Sequence, residues 1–159
     1  MAKFQFKELI PTTAKSARLG AGSGSANYID DKEVGKAVKL VADSRYNLCA
    51  AGDQIEGFIN SVESATVDDF SFGSVVNEVG MRKEVTFDGL QATPGTGTVA
   101  MMDYVVTGTA VAKGTALGGP VKVCKATTQT GMYFAWRVVS LGSAGTGAVG
   151  TTGVIERIS

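Results

Sequence analysis

The side chains that could perform chemistry in this chain are carboxylates, lysines and tyrosines, because none of its 159 residues is a histidine. Histidine is the usual general base near neutral pH and the commonest ligand of catalytic zinc, so Ser-His-Asp and Cys-His arrangements are excluded. Adjacent acids occur at Asp30-Asp31 and Asp68-Asp69. Neighbours on a strand point to opposite faces, so neither pair forms a dyad that shares a proton. The sequence predicts no catalytic residues and a protein that is not an enzyme.

Two glycine-rich segments have the spacing of nucleotide-binding fingerprints. Residues 145–150 satisfy G-x-G-x-x-G, and residues 95–100 satisfy the variant that ends in alanine. The fingerprint works only between a strand and a helix whose N-terminus meets the pyrophosphate, with an acidic residue about 20 positions later. Both segments lead into strand-like sequence instead. We therefore predict that both segments are β-turns or loops, and that no nucleotide cofactor binds there.

The two cysteines and the acidic loops do not have the spacing of metal sites. Cys49 and Cys124 form no C-x-x-C motif, and we interpret them as buried structural thiols, with a disulfide between them as the alternative. The acidic loops lack the alternating ligands and the closing glutamate of a calcium loop. No metal or other cofactor is expected.

The aromatic residues Tyr133, Phe134 and Trp136 are the candidate interface residues of the domain. On a strand, Phe134 and Trp136 would share one face and Tyr133 would lie on the other. Packing in the core is one interpretation of this group. The other is an anchor at an interface, a role in which Trp and Tyr are favoured.

The elements that position these residues are predicted to be strands. Between residues 28 and 159, apolar stretches are bounded by glycine or polar turn residues, at the spacing of sandwiches and barrels. The 21 glycines and the lack of a sustained helical period leave room for at most one or two short helices, near 30–36 or 42–50. The fold class is therefore mainly β, a compact β-sandwich or barrel-like domain with an extended N-terminal arm. The predicted strands are 36–42, 53–62, 70–76, 84–87, 98–106, 120–125, 132–141 and 154–158.

Residues 1–27 are predicted to be a flexible arm, and residues 28–159 a single β-rich domain. Most of the arm after residue 10 consists of Ala, Ser, Thr and Gly, as flexible linkers do. Its head carries apolar residues that a permanently disordered tail would not need, which indicates docking onto a partner. Residues 1–20 have four basic side chains and one acidic side chain, so they suit an acidic patch on a neighbour, with plain solvated surface as the alternative. The arm residues expected to make contact are Lys3, Phe4, Phe6, Lys7, Leu9, Ile10, Lys15 and Arg18.

The overall charge argues against a nucleic-acid partner. Fifteen basic and fifteen acidic residues give a formal charge of zero, whereas nucleic-acid-binding domains usually have a clear basic excess. No apolar run approaches the length of about 20 residues that spans a bilayer, and the first residues lack the apolar region of a secretory signal. We expect a protein made in a cytoplasm, with neither nucleic acid nor a membrane as partner.

A short internal similarity links two parts of the chain. Residues 35–40 resemble residues 118–123, at a separation of 83 positions. Two related β units would explain this similarity, and chance in a valine-rich chain would explain it as well.

Two segments resemble a known family. Residues 108–123 read GTAVAKGTALGGPVKV, and residues 53–59 read DQIEGFI. Both are similar to segments of the small capsid decoration, or cement, proteins of tailed bacteriophages, in which the two occur in the opposite order. The Gly/Ser-rich arm and the glycine-bounded strands are further points of similarity.

The resemblance implies a structural virion protein without catalytic residues. Such a protein binds the outer surface of an expanded capsid, commonly as a homotrimer at three-fold positions, and stabilises it by bridging subunits of the major capsid protein. Its N-terminal arm reaches the shell. The resemblance also implies assembly in the host cytoplasm and a final location on the capsid surface.

Two other functions remain as alternatives from the residues themselves. The first is a β-rich surface-binding module, tail-associated or carbohydrate-binding, which the aromatic group would suit. The second is a small hydrolase that works with carboxylates alone. It is the least favoured, because no histidine is present and no pair of acids is placed to share a proton.

Overall fold

Strands supply almost all the regular structure of the computed structural model, which describes residues 15–20, 28–41, 45–67, 70–127 and 133–159. The described residues form eleven strands and one single-turn 3₁₀ helix at Asp31–Glu33. The prediction of a mainly β fold is confirmed. The strands are β1 (Lys15–Leu19), β2 (Ala37–Val41), β3 (Arg45–Leu48), β4 (Gly57–Val67), β5 (Phe70–Val76), β6 (Arg82–Leu90), β7 (Thr93–Pro94), β8 (Val105–Thr107), β9 (Val121–Lys125), β10 (Trp136–Ser140) and β11 (Thr152–Arg157).

The first five strands form a closed barrel in the order β1-β3-β2-β4-β5. Strand β1 closes it by pairing antiparallel with β5 and parallel with β3. Closure gives every strand of the barrel a neighbour on both sides, which removes the edges that other chains could pair with. The interior holds a small apolar cluster of Leu19, Ile29, Val38, Ile59 and Val75.

The remaining strands form a second sheet in the order β10-β11-β6-β9-β8, with β7 paired to β6. Strands β6 and β9 run parallel, whereas the other pairs run antiparallel. The sheet curls until its two edges meet. Tyr104, just before β8, bridges to Arg137 of β10, and the Val138 amide donates to the Asp103 carbonyl at 2.9 Å. The turn before β8 is thereby attached to β10.

One hydrophobic core lies between the barrel and the second sheet and contains side chains from both. Phe58 of β4 meets Trp136 of β10 edge to face, with 5.1 Å between the ring centroids and 79° between the ring planes. Both side chains are fully buried. Such pairs contribute about 0.5–1.5 kcal/mol beyond the area that they bury. Because this core is shared, the barrel and the sheet should unfold together.

Several predicted elements have different bounds in the structure. The strand expected at 98–106 is a turn followed by the three-residue β8, because hydrogen bonds to β10 replace regular pairing there. One of the two places named for a short helix, 42–50, contains β3, which closes the barrel between β1 and β2. The other contains the 3₁₀ turn, which Asp30 caps. Long-range pairing overrides local propensity at β3.

The two similar segments of the chain occupy different positions in the fold. Strand β2, from the first segment, pairs antiparallel with β3 and β4. Strand β9, from the second, pairs parallel with β6 and antiparallel with β8. The similarity does not correspond to equivalent neighbours in the two sheets.

Phe58→Ala is expected to lower the free energy of unfolding by about 3–5 kcal/mol, because it opens a cavity in the shared core. Phe72→Ala is the matched control. Phe72 is exposed on β5, so its loss should cost about 1 kcal/mol or less. Urea unfolding would measure both, followed by far-UV circular dichroism and by the fluorescence of Trp136, the only tryptophan. Different midpoints for the two probes in the wild type would contradict a shared core.

Candidate functional site

The structure separates the three candidate aromatics. Trp136 is buried in the shared core, which agrees with the packing interpretation and not with an interface anchor. Phe134 packs against a different cluster, of Val106, Cys124 and Ala126, so the expectation that it shares a face with Trp136 is wrong. Strand β10 begins only at Trp136, and the alternation of faces does not extend to residues that precede a strand.

Two of the eight candidate arm residues lie in the described part of the chain. Lys15 and Arg18 belong to β1 and therefore to the barrel wall, not to an arm. Ala17 and Leu19, on either side of Arg18, pack in the apolar cluster of the barrel, which explains why this segment is a strand despite its linker-like composition. Lys15 is exposed and Arg18 is half-buried. The candidates outside the described residues are Lys3, Phe4, Phe6, Lys7, Leu9 and Ile10.

Exposed apolar side chains lie in the turn before β8 and in the segment before β10, which the bridge between Tyr104 and Arg137 brings together. Met101 and Met102 are both exposed in that turn. The ring of Tyr104 stacks on Phe134, with 6.1 Å between the ring centroids and 28° between the ring planes. Tyr133, next to Phe134, is the most exposed aromatic side chain among the described residues. We call these five residues the Met-Tyr patch.

The turn that carries the two methionines is held by three hydrogen bonds. The Ala100 amide donates to the Asp103 carboxylate at 2.7 Å, and the Asp103 amide donates to the Ala100 carbonyl at 3.2 Å. The Met102 amide donates to the Val138 carbonyl of β10 at 2.9 Å. Met102 has a φ of 68°, a left-handed conformation that costs a residue with a side chain about 1–2 kcal/mol. The turn therefore holds an apolar side chain outward on a strained backbone.

Charged side chains beside the Met-Tyr patch are paired within the chain. The Asp103 carboxylate lies 3.0 Å from Lys125 Nζ. The Arg137 guanidinium lies 3.9 Å from the Glu156 carboxylate on β11, which also contacts Arg82 one strand further away. Partly exposed pairs of this kind add little to stability. They do, however, leave opposite charges together at the border of the patch.

Sequence reasoning missed Met101, Met102 and Tyr104 because it placed them inside a strand. A signal for the turn was present at Asp103, since aspartate commonly closes turns by accepting a nearby backbone amide. The mostly apolar run from Val99 to Val106 outweighed it. Both methionines are exposed in the folded chain, which the position of the turn reveals and the apolar run does not.

A second notable feature is a loop of residues 109–119, which we call the strap loop. It lies against the barrel and is attached by a buried ion pair. The Glu33 carboxylate accepts the Gly114 amide at 2.6 Å and Lys36 Nζ at 3.3 Å. Lys36 Nζ also donates to the Ala112 carbonyl at 2.9 Å. Because Glu33 and Lys36 are both buried, these hydrogen bonds compensate for the cost of removing two charges from water.

Asp30 caps the 3₁₀ turn and helps to position Glu33. Its carboxylate accepts the Lys32 amide at 2.9 Å, and its own amide donates to the Glu33 carboxylate at 3.0 Å. The pKa of Asp30 is lowered from its usual value of 3.8, first by hydrogen bonding to Glu33 and then by the bond from the Lys32 amide. The charged form of Asp30 is therefore the one that stabilises the fold.

A cavity of about 30 Å³, lined by Cys49 and Thr107 among others, lies beneath the strap loop and has room for about one water molecule. Burial raises the pKa of Cys49 to about 12 and that of Cys124 to about 11. Both thiols stay protonated near neutral pH, so neither is an activated nucleophile. Both are free and buried, which confirms the interpretation as structural thiols rather than a disulfide.

The two glycine-rich segments pair with each other and open no helix. Thr98 bridges to Ala148, and the Val99 amide donates to the Gly147 carbonyl at 2.9 Å. A Cβ atom on Gly147 would lie 1.8 Å from the Val99 carbonyl oxygen, so only glycine permits this approach. The prediction that both segments are β-turns or loops is confirmed.

Several acidic side chains of the described ranges form ion pairs within the chain. Within those ranges, no group of three or more Cys, Asp and Glu residues could hold a metal ion. The same part of the chain contains no helix of the length and apolarity needed to cross a membrane. The acids that pair with a lysine or arginine include Glu33, Asp53, Glu56, Asp88, Asp103 and Glu156.

Comparison of the chain with protein-family models, curated proteins and solved structures found no match. A function for the chain is therefore inferred from its residues and their geometry. Of the features described above, the Met-Tyr patch is the one in which four large apolar or aromatic side chains, Met101, Met102, Tyr104 and Tyr133, are exposed together. Its chemistry is that of contact with another apolar surface.

Lys36→Met is expected to lower the free energy of unfolding by about 3 kcal/mol, because Glu33 would keep a buried charge without its counterion. Lys39→Met is the matched control, since the pair of Lys39 with Asp53 is partly exposed and its loss should cost about 1 kcal/mol or less. Adding Glu33→Gln to Lys36→Met should recover part of the loss. Urea unfolding of these variants would check the prediction, and equal losses for the two lysine variants would contradict it.

Asp30→Ala is expected to cost about 1 kcal/mol near neutral pH through loss of the cap. Because the folded pKa lies below the unfolded value of 3.8, the contribution of the charged carboxylate is complete above that value and is lost as pH falls through the folded pKa. The stability difference between wild type and variant should therefore shrink in acid. Urea unfolding from neutral to acidic pH would measure it, with the exposed Asp31→Ala as control. A difference that stays constant would show that the charge is not involved.

Proposed function

We propose that the chain is a structural virion protein that binds the outer surface of an expanded bacteriophage capsid and stabilises it by bridging subunits of the major capsid protein. In this proposal it is a capsid decoration, or cement, protein that acts as a homotrimer and has no catalytic residues. It is assembled in the host cytoplasm and ends on the outer surface of the virion.

The observation that carries the proposal is the position of the two segments that resemble the decoration proteins. They are reversed in order along the chain, yet they are neighbours in space. The amide of Thr107, just before the second segment, donates to the Asp53 carbonyl of the first segment at 3.0 Å, and the amide of Gly52, just before the first segment, donates to the Thr107 carbonyl at 2.7 Å. Phe58 and Val121, one from each segment, belong to the same core. The two stretches that carry the resemblance therefore lie in one part of the fold.

The arrangement of the strands suits a protein that acts by binding to other proteins. A closed barrel and a sheet with joined edges offer few free strand edges for unwanted pairing between copies. The Met-Tyr patch adds an apolar surface on this scaffold. A shell binds many copies at once, so a contact that is weak for one copy still gives a stable coat when each copy bridges several subunits.

A carbohydrate-binding module is the second candidate, and the exposed ring of Tyr133 favours it. Tyrosine offers a flat apolar face with a polar hydroxyl, which suits partly polar ligands. The ring of Tyr104, in contrast, is already stacked on Phe134. A glycan array on which the chain binds no sugar would remove this candidate. Specific binding there would favour it over the capsid.

The purified chain is expected to raise the temperature at which expanded shells break, because a ligand that binds only the intact shell stabilises it by mass action. The shells would be expanded capsids assembled from the major capsid protein of the same phage. Differential scanning calorimetry at increasing ratios of chain to subunit would measure the shift, with the heat-unfolded chain as control. Shells that break at the same temperature with and without the chain would contradict the proposal, and mass measurement in solution would test the trimer.

A further inference from the structure

The Met-Tyr patch exposes more apolar surface than its fold requires. The exposed fractions are 47% for Met101, 56% for Met102, 38% for Tyr104 and 64% for Tyr133. Taking about 200 Å² for a large side chain, these four expose roughly 400 Å². The largest apolar patch on a typical monomer covers about 300–600 Å² and is often functional. The patch therefore has the size of a contact site.

The backbone of Met102 is a second, independent sign of function. Its left-handed conformation is imposed from both sides, by the bonds between Ala100 and Asp103 and by the bond to Val138. Glycine would adopt this conformation without strain, whereas methionine adopts it at a cost. The exposed side chain of Met102 is not part of the core, so packing in the core does not compensate for this cost. Strain of this kind is typical of sites that bind a partner.

The charges around the patch define the chemistry of the partner. Asp103 is paired with Lys125, and Arg137 with Glu156, so these four charged residues beside the patch already have counterions within the chain. A partner that fits the patch is apolar and uncharged at the point of contact, since an unpaired charge there would lose its hydration without compensation. Methionine and tyrosine are both enriched in the centre of protein interfaces.

The area of the patch argues against a second free copy as the occupant. A stable complex of two proteins in solution buries about 800 Å² on each partner, which is about twice the area that the patch offers. A partner whose surface presents the same site many times fits the patch better. A copy of the chain that other contacts already hold on such a surface binds through the patch at high effective concentration. A capsid shell is such a surface.

We infer that the Met-Tyr patch is the face that docks on the shell, and that Met102 inserts its side chain into an uncharged apolar site of a capsid subunit. This inference rests on the proposed function and names the surface that performs it. The patch belongs to the second sheet, so the docking face lies on a different sheet from β1 with Lys15 and Arg18.

Met102→Gly tests the inference, because it removes the side chain and the strain together. The variant should unfold at the same temperature as the wild type or higher, while its affinity for expanded shells falls about ten-fold or more, as expected for an interface hot spot. Leu40→Thr is the matched control, since Leu40 is equally exposed on β2 of the barrel and should bind normally. Cosedimentation of each variant with shells over a range of concentrations would give the affinities.

The salt dependence gives a second measurement. The ratio of wild-type to Met102→Gly affinity should be the same at low and high salt, because the contact that Met102 makes carries no charge. A ratio that falls steeply with salt would show that the contact is electrostatic and would overturn the inferred chemistry.

The outcomes separate the inference from the function on which it rests. If wild type and Met102→Gly bind shells equally, the inference is wrong and the proposed function stands. If the wild type does not bind shells at all, the proposed function fails and the inference fails with it. If the concentrated wild type forms oligomers that Met102→Gly dissolves, the occupant is a second copy and the assignment to the shell is wrong.

Discussion

The hydrophobic core between the barrel and the second sheet is the constraint on which the rest of the structure depends. The barrel alone encloses only the cluster around Leu19 and Val38, and small cores of this size give little stability by themselves. The contact of Phe58 with Trp136 joins it to the core of the second sheet. Every surface feature of the molecule is positioned by elements that this core holds together.

The candidate site is an exposed segment whose position depends on buried residues. Val105 of β8 and Val138 of β10 are buried in the core, and the turn before β8 must bridge to β10 by backbone hydrogen bonds. That connection leaves the Met102 side chain outside the core and its backbone in a left-handed conformation that is unfavourable for methionine. The strap loop is attached by a buried ion pair as well as by packing, since Lys36 and Glu33 bind its backbone and Leu117 packs against the shared core.

The fold class was predictable because alternation and glycine-bounded apolar runs are local signals, and both survive in the structure. Strand β1, Lys15–Leu19, was not predictable, since its composition is that of a linker and it forms a strand only through pairing with β3 and β5. The roles of the aromatics were predicted in part. Trp136 packs in the core, which is one of the two interpretations. The prediction that Phe134 shares a face with Trp136 was wrong, because β10 begins only after Phe134. The methionines were missed altogether.

By itself, the sequence determined the classes of chemistry available to this protein and the kind of secondary structure. A chain without histidine has no Ser-His-Asp or Cys-His site in any fold, and a chain rich in valine, threonine and glycine favours strands and turns over helices. Only the tertiary structure decided which side chains are exposed. Exposure depends on contacts between residues far apart in the chain, such as Met102 with Val138 and Glu33 with Gly114, and no local pattern records those contacts. The patch from which we infer docking is therefore a property of the folded molecule.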